Sequence, residues 1–152
     1  MIVYRIARTE QIRDMSGMGA RIHGGRWNPK GVSMLYTSMS RALAALELYA
    51  NRTRVVTLKG FSLAAIIVPD AVTIKEIALA DLPVGWNGYP APVDLSNIGA
   101  QWVVSGETLV LAVPSALVHQ ERNYLINPEH PEMVQVRMGD IEEYRFDRRL
   151  LS

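Results

Sequence analysis

The sequence lacks cysteine altogether, since none of its 152 residues is Cys. Without thiols, the chain has no disulfide framework, no Cys-ligated zinc or iron–sulfur site and no thiol nucleophile. It also lacks an excess of either charge, because 16 Lys and Arg face 15 Asp and Glu for a formal net charge of +1. A balanced charge gives no general attraction for duplex DNA or an anionic membrane, although a local basic pocket is compatible with it.

Long apolar runs are missing as well. No run approaches the roughly 20 residues that cross a bilayer. The first five residues have neither the basic and apolar regions nor the cleavage site of a signal peptide. We therefore expect a cytoplasmic protein with no membrane contact. The hydrophobic fraction of 49% is too high for a disordered chain, and the length predicts one domain over residues 1–152.

The familiar nucleotide and metal motifs are absent too. The sequence has no Gly-x-Gly-x-x-Gly opening a helix and no Gly-Lys-Ser/Thr phosphate loop. Its histidines, His23, His119 and His130, are too scattered for metal-ligand spacing. We expect no bound metal and no doubly wound nucleotide-binding sheet.

Short apolar and β-branched segments dominate what is present. They predict strands at residues 2–6, 32–37, 54–58, 64–68, 72–77, 109–113, 134–137 and 143–146. One helix is predicted over residues 41–49, capped by Ser40 and ending near Asn51. The glycine-rich stretch 16–20, followed by Gly24-Gly25, predicts a flexible loop, and the Pro- and Gly-rich stretch 83–92 predicts an ordered loop. One helix among many short strands indicates an α+β fold.

The segment Gly24-Gly25-Arg26-Trp27-Asn28-Pro29-Lys30-Gly31 combines residue types that suit a nucleotide. Glycines such as Gly25 let the backbone approach a ligand, and the Arg26 guanidinium offers a planar set of donors to phosphate. Trp27 can stack on an aromatic ring, and Asn28 can hydrogen-bond an amide or a hydroxyl. The same composition is also typical of an ordinary Gly/Pro turn with an exposed Arg and a Trp anchored in the core.

Three further residues are candidates for chemistry. Glu47 is the only charged residue within 42–50, so it is either a desolvated functional carboxylate or the solvent-facing edge of an apolar stripe. Tyr36 ends a predicted strand and either stacks on a ligand ring or fills the core. Ser115 follows an apolar strand, where its hydroxyl can bond a ligand amide, but no Gly-x-Ser-x-Gly elbow marks it as a nucleophile.

Taken in order along the chain, these pieces resemble the RES domain, the toxin half of bacterial RES–Xre toxin–antitoxin pairs. The Arg, Glu and Ser that name the family match Arg26, Glu47 and Ser115, and its active-site tyrosine matches Tyr36. The resemblance is carried by Tyr4-Arg5-Ile6, Gly25-Arg26-Trp27-Asn28, Leu35-Tyr36-Thr37-Ser38, the helix from Ala44 to Glu47, Trp86 with Tyr89-Pro90-Ala91-Pro92, Ile98-Gly99 with Trp102, Val113-Pro114-Ser115, the run from Glu121-Arg122-Asn123-Tyr124-Leu125-Ile126-Asn127-Pro128 to Pro131, and Phe146-Asp147-Arg148-Arg149-Leu150.

The resemblance implies an α+β fold like that of diphtheria-toxin-type ADP-ribosyltransferases and NAD as the substrate. Family members are described as degrading NAD at the nicotinamide–ribose bond, by phosphorolysis or hydrolysis, and some as ADP-ribosylating a protein. The implied partner is an Xre-type antitoxin that blocks the NAD pocket and contacts DNA for the pair. We therefore expect a hetero-oligomer, with no cofactor beyond NAD as substrate and with inorganic phosphate as co-substrate if the reaction is phosphorolysis.

The resemblance also assigns roles to the site residues. Glu47 would hold the ribose hydroxyls and offset the positive charge that develops on the sugar, while Arg26 would bind the pyrophosphate. Tyr36 would pack on the nicotinamide or its ribose, and Ser115 would orient the ring carboxamide or the Glu47 carboxylate. Arg5, Gly25, Trp27 and Asn28 would shape the substrate pocket. A second anion pocket for phosphate would draw on Arg5, Lys30 or Arg122.

Two alternatives to an NAD-degrading toxin stay open at this point. One is an ADP-ribosyltransferase, which would share the site but pass the sugar to a protein side chain. The other is a catalytically silent module that binds a nucleotide or a partner protein. The presence of Arg26, Tyr36, Glu47 and Ser115 together argues against the silent module, because a silent relative is expected to have lost at least one of them.

Overall fold

The computed structural model describes residues 1–51 and 59–150. The predicted strand at 54–58 lies outside these residues. The strands are β1 (Ile2–Arg8), β2 (Leu35–Ser38), β3 (Phe61–Ile67), β4 (Ile74–Glu76), β5 (Val110–Pro114), β6 (Arg122–Ile126) and β7 (Arg137–Tyr144). The α-helices are α1 (Met18–His23), α2 (Arg41–Ala50) and α3 (Val93–Ser105), and short 3-10 helices cover Leu79–Asp81, Pro131–Gln135 and Arg148–Leu150.

The strands form one mixed sheet of seven strands in the order β4-β5-β6-β2-β1-β3-β7. β4 pairs with β5 in parallel, and the other strand pairs of the described sheet are antiparallel. Strands β2 and β6, far apart in sequence, are neighbours at the centre. The polar residues at their ends therefore lie side by side.

The apolar core lies on both faces of this sheet. One cluster centres on Val3, Ile66, Val110 and Ile126. A second cluster contains all three tryptophans, and its buried members are Trp27, Met34, Trp86, Leu95, Trp102, Leu111, Val113 and Leu125. A third cluster joins helix α2 to β3, and its buried members are Ile6, Ala44, Phe61, Leu63 and Phe146. Burial of this apolar surface is the main driving force for folding.

Helix α2 forms as the sequence predicts. The Ser40 hydroxyl accepts a hydrogen bond from the backbone N–H of Leu43 at 3.1 Å, which satisfies a donor that the first helical turn leaves unpaired. Leu43 and Ala44 are buried against the sheet. The cap and this apolar face fix the rotation of the helix and thereby the direction of Glu47.

The prediction of a single helix was wrong. Helix α1 begins at Met18, within the stretch predicted as a flexible loop. Gly17 and Gly24, on either side of the helix, have the positive φ values of 73° and 72° that glycine favours. Helix α3 has 13 residues and was missed because Ser, Asn and Gly interrupt its apolar pattern. Its buried residues Leu95, Gly99 and Trp102 nevertheless follow the helical spacing of four and three.

Two strand predictions near the C-terminus were also wrong. Residues 131–135 form a 3-10 helix where a strand at 134–137 was predicted, since Pro131 sits at its first position. Strand β7 runs over Arg137–Tyr144 rather than 143–146, and its polar sequence suits an edge of the sheet. Strand β6 was not predicted at all, because Arg122 and Asn123 open it. Among the described residues, no helix is both long and apolar enough to cross a bilayer.

Candidate functional site

A cleft of about 460 Å³ opens beside the centre of the sheet. Strands β1 and β2 and helices α1 and α2 supply most of its wall, and β6 contributes one residue. The polar side chains in this wall include Tyr4, Arg5, Asp14, His23, Tyr36, Ser38, Glu47 and Asn123. A cleft of this size is large enough for a small-molecule substrate.

The Glu47 carboxylate is held at one end of the cleft by two donors. The Ser115 hydroxyl donates to its Oε1 at 2.7 Å, and the Asn123 side-chain amide donates to the same oxygen at 3.1 Å. Within the part of the chain that the structure describes, Oε2 has no protein donor. Glu47 is half-buried and lines the cleft, so it is more than the solvent-facing edge of an apolar stripe.

Ser115 is completely buried and directly follows β5. Its hydroxyl oxygen also accepts hydrogen bonds from the backbone N–H groups of Leu117 at 3.1 Å and Val118 at 3.2 Å. These two donors orient the hydroxyl proton toward Glu47. Of the two roles predicted for Ser115, the contact with the Glu47 carboxylate is the one present in the structure.

Tyr36 and Asn28 form a second polar network. The Tyr36 hydroxyl donates to Asn28 Oδ1 at 2.6 Å and accepts from the backbone N–H of Trp27 at 3.1 Å. The Asn28 amide nitrogen donates to the carbonyl oxygens of Ala20, Pro29 and Val32. Asn28 is 1% exposed, so it fixes the loop and Tyr36 rather than presenting an amide to the cleft. Burial raises the pKa of Tyr36 well above its ordinary value, although the nearby Arg26 charge opposes this.

Arg26 lies beside Tyr36 but is not part of the cleft wall described above. Its guanidinium Nη1 donates to the carbonyl oxygen of Trp86 at 2.9 Å. Trp27 is 3% exposed and packs in the tryptophan-rich core, which matches the core alternative for this residue. Gly25 is required by space, because a Cβ there would lie 2.7 Å from the Tyr36 hydroxyl oxygen.

Arg5, unlike Arg26, lines the cleft. Its Nη1 donates to the carbonyl oxygens of Gln11, Ile12 and Asp14, so the side chain also fixes the turn after β1. Burial lowers the pKa of Arg5, and the Asp14 carboxylate partly opposes this effect. Of the other cations considered for a phosphate pocket, Lys30 is exposed and Arg122 pairs with Glu76 at 3.0 Å.

Sequence reasoning gave no role to Ser38 and Asn123, which complete the Glu47 end of the cleft. The two residues face each other across β2 and β6 in the sheet register. The run from Glu121 to Pro131, which contains Asn123, is part of the family resemblance. The sequence of this run does not indicate which strand it pairs with. No cluster of three His, Asp or Glu with metal-binding geometry occurs among residues 1–51 and 59–150.

A family model for the RES domain matches residues 2–147. The chain belongs to the RES-domain family. A relative named Prs ADP-ribosylating toxin, from Sphingobium sp. (strain YBL2), is 40% identical to this RES domain over 147 residues, covering 95% of this chain and 91% of its own. A relative named Toxin Res, from Yersinia enterocolitica, is 36% identical over 153 residues, and the alignment covers 99% of each chain.

The fold of this RES domain is also found in a solved structure. A chain of the M. tuberculosis MbcT–MbcA toxin–antitoxin complex superposes with a TM-score of 0.76 at 20% identity, covering 95% of this chain and 84% of that one. The predicted α+β fold class is thereby confirmed, with a single mixed sheet of seven strands.

Proposed function

We propose that this RES protein consumes NAD by cleaving the bond between nicotinamide and ribose, and that it acts as the toxin of a toxin–antitoxin pair. The observation that supports this most is the Glu47 carboxylate, which two donors hold through Oε1 at the wall of the cleft. No residue that the structure describes donates to its second oxygen, Oε2, so this oxygen is available to a ligand. This is the arrangement expected for a group that acts on a developing positive charge.

The chemistry requires such a group. Nicotinamide leaves C1′ of its ribose through a transition state with oxocarbenium character. A rate gain comes only from interactions that are stronger in this state than in bound NAD. The Glu47 carboxylate would become more favourable as positive charge develops, and Ser115 and Asn123 would keep it from turning away.

Two arginines, Arg5 and Arg26, are the candidates for binding the pyrophosphate of NAD. Arg5 lines the cleft, and its three hydrogen bonds to the protein all use Nη1, which leaves other donors of the guanidinium for phosphate oxygens. Arg26 lies near Tyr36 and uses Nη1 for the Trp86 carbonyl. We propose that Arg5 binds the pyrophosphate within the cleft, that Arg26 contributes from beside Tyr36, and that Tyr36 packs on the nicotinamide or its ribose.

The acceptor of the sugar decides the reaction class. Water gives a glycohydrolase and inorganic phosphate gives a phosphorylase. A protein side chain gives an ADP-ribosyltransferase, and this second candidate is favoured by the 40% identical Sphingobium relative, which is named Prs ADP-ribosylating toxin. All three acceptors are compatible with the same Glu47 chemistry.

An antitoxin is the proposed partner. Relatives named Toxin Res, and a similar fold within a toxin–antitoxin complex, support an association of this kind. We propose an Xre-type antitoxin that closes the NAD cleft, so that the protein would contact DNA only through the antitoxin.

The test is release of nicotinamide from NAD by purified protein, with and without inorganic phosphate. Glu47→Gln keeps the size of the side chain and removes its charge, so turnover should fall by about 100-fold or more, the range seen when one charge-stabilising group is lost. The matched control is Glu107→Gln, which alters an exposed pair with Lys75 and should keep full activity.

Label transferred from NAD to lysate protein would identify the transferase instead. The proposal would be contradicted if protein with a native circular dichroism spectrum released no nicotinamide from NAD, either with or without inorganic phosphate. Equal activity of wild type and Glu47→Gln would contradict the role of Glu47.

A further inference from the structure

The pairing of β2 with β6 brings two polar residues together behind Glu47. Ser38 ends β2, and Asn123 lies opposite it in the register of the sheet. The Ser38 hydroxyl donates to Asn123 Oδ1 at 2.7 Å, and the Asn123 amide nitrogen donates to Glu47 Oε1 at 3.1 Å. Ser38, Asn123 and Glu47 thus form a chain of hydrogen bonds from the sheet to the carboxylate.

We propose that Asn123 and Ser38 are positioning residues for Glu47: Asn123 fixes the carboxylate, and Ser38 fixes the amide of Asn123. The inference rests on the proposed function, because it concerns the same carboxylate.

The direction of each hydrogen bond supports this order. A carboxylate only accepts, so the Asn123 side chain must present its NH₂ group and not its oxygen to Glu47. The Ser38 hydroxyl donates to the amide oxygen and holds the amide in this orientation. Rotation of the amide by half a turn would place two oxygens against each other at Glu47, and the Ser38 hydroxyl would face an NH₂ group, from which it could only accept.

Hydrogen bonding and partial burial together restrict the three side chains. Ser38 is 5% exposed, whereas Asn123 and Glu47 are half-buried and line the cleft. A buried hydroxyl without a partner is costly, so Ser38 favours the conformation in which Asn123 accepts from it. Two donors on Oε1, from Ser115 and Asn123, then define the plane of the Glu47 carboxylate better than one donor would.

Loss of Asn123 should therefore affect the chemical step more than substrate binding. With Ser115 as the remaining donor, the carboxylate can rotate away from its productive direction. Small displacements of a catalytic group can cost on the order of 100-fold in rate. We expect Asn123→Ala to lower kcat by about 10- to 100-fold and to change KM by less than about threefold.

Ser38 should act through Asn123, and a double-mutant cycle tests this. Ser38→Ala alone should lower kcat by a smaller factor, about 3- to 10-fold, because Asn123 keeps its contact with Glu47 but loses its fixed orientation. In the Asn123→Ala background the same change should have no further effect on kcat. Fully multiplicative effects would overturn the proposed order.

Matched controls are available in the same sheet. Ser62→Ala removes another buried strand hydroxyl, which bonds Thr9 at 2.9 Å away from the cleft. Asn127→Ala removes a buried asparagine just beyond β6 that bonds the backbone at Val103 and Glu129. Both controls should lower the melting temperature at most and leave kcat unchanged.

A second variant keeps the test decisive if Asn123→Ala does not fold. Asn123→Asp has the same shape but replaces the donor by a charged acceptor, so kcat should be low at pH 8. A protonated Asp regains an O–H donor, so kcat of this variant should recover as the pH falls toward 5, relative to wild type at each pH. A purely structural role for Asn123 would not produce this recovery.

The failures of the two ideas are distinguishable. Wild type without NAD turnover would overturn the proposed function. An active wild type with an inactive Glu47→Gln, but with unchanged kcat in Asn123→Ala and Ser38→Ala, would overturn only the positioning role.

Discussion

Tyr36 shows how a single hydroxyl connects the candidate site to the stability of the fold. It donates to Asn28 Oδ1 and accepts from the Trp27 backbone N–H. Tyr36→Phe removes the hydroxyl, so Asn28 Oδ1 and the Trp27 N–H each lose this hydrogen bond. An unpaired buried polar group costs about 1–3 kcal/mol. We expect the free energy of unfolding in urea to fall by this amount. The control, Tyr89→Phe, alters a tyrosine that is 86% exposed and should change stability by less than about 0.5 kcal/mol.

The difference in unfolding free energy between wild type and Tyr36→Phe should also depend on pH. Burial raises the pKa of Tyr36 in the folded protein above the ordinary value of 10.0 that applies to the unfolded chain. As the pH rises past 10.0, the unfolded chain therefore loses this proton first, and unfolding becomes more favourable. The stability advantage of wild type over Tyr36→Phe should be constant below that pH and shrink above it. A constant difference up to pH 11 would contradict the assigned burial effect.

Residue identity and the family resemblance together predicted part of the candidate site. Residue identity offered Glu47 as a desolvated carboxylate, and the roles implied by the resemblance included its contact with Ser115, which the structure contains. The fully enclosed amide of Asn28 was not predictable, since its three carbonyl partners belong to a loop whose path is set by tertiary packing. The contact of Arg26 with Trp86 was missed for the same reason.

At the scale of elements, helix α3 supports the loop that carries Arg26. A Cβ on Gly99 would lie 1.6 Å from the Trp27 carbonyl oxygen, so the helix and loop approach each other as closely as glycine allows. Gly99→Ala must displace one of them, and overpacking of this kind costs about 1–3 kcal/mol or more. We expect a lower melting temperature together with reduced NAD turnover.

The control for this change is Gly19→Ala in helix α1, where an added Cβ meets nothing within 4 Å. In a helix, Ala is favoured over Gly by up to about 1 kcal/mol, so this variant should melt at or above the wild-type temperature. A Gly99→Ala protein as stable as wild type would show that the loop can move without cost.

The elements that sequence patterns predicted well are those with local signals. Helix α2 has a Ser cap and an apolar face, β1 opens on apolar residues of mixed pattern, and β5 is a continuous apolar run. Helix α3 and strand β6 have weaker local signals, since their stability comes from what they pack against. The interior Gly99 that obscured α3 in the sequence is the residue that its packing requires.

At the scale of the whole molecule, binding of NAD should stabilise the fold. A ligand that binds only the folded state adds about 2.7 kcal/mol of stability at 100 times its Kd. For a chain of about 150 residues this corresponds to a rise in melting temperature of roughly 5–10 °C. The inactive Glu47→Gln variant allows the measurement without turnover, and GTP at the same concentration is the control ligand. No shift with NAD, at concentrations up to several millimolar, would contradict NAD as the substrate.

The central pairing of β2 with β6 also determines when the protein can become harmful. The Glu47 end of the cleft needs Ser38 and Glu47 from the first third of the chain, and Ser115 and Asn123 from the last third. During translation, a nascent chain that has not yet emerged from the ribosome beyond β6 cannot assemble this constellation. Under the proposed function, activity therefore begins only late in elongation, once the strand that carries Asn123 has left the ribosome.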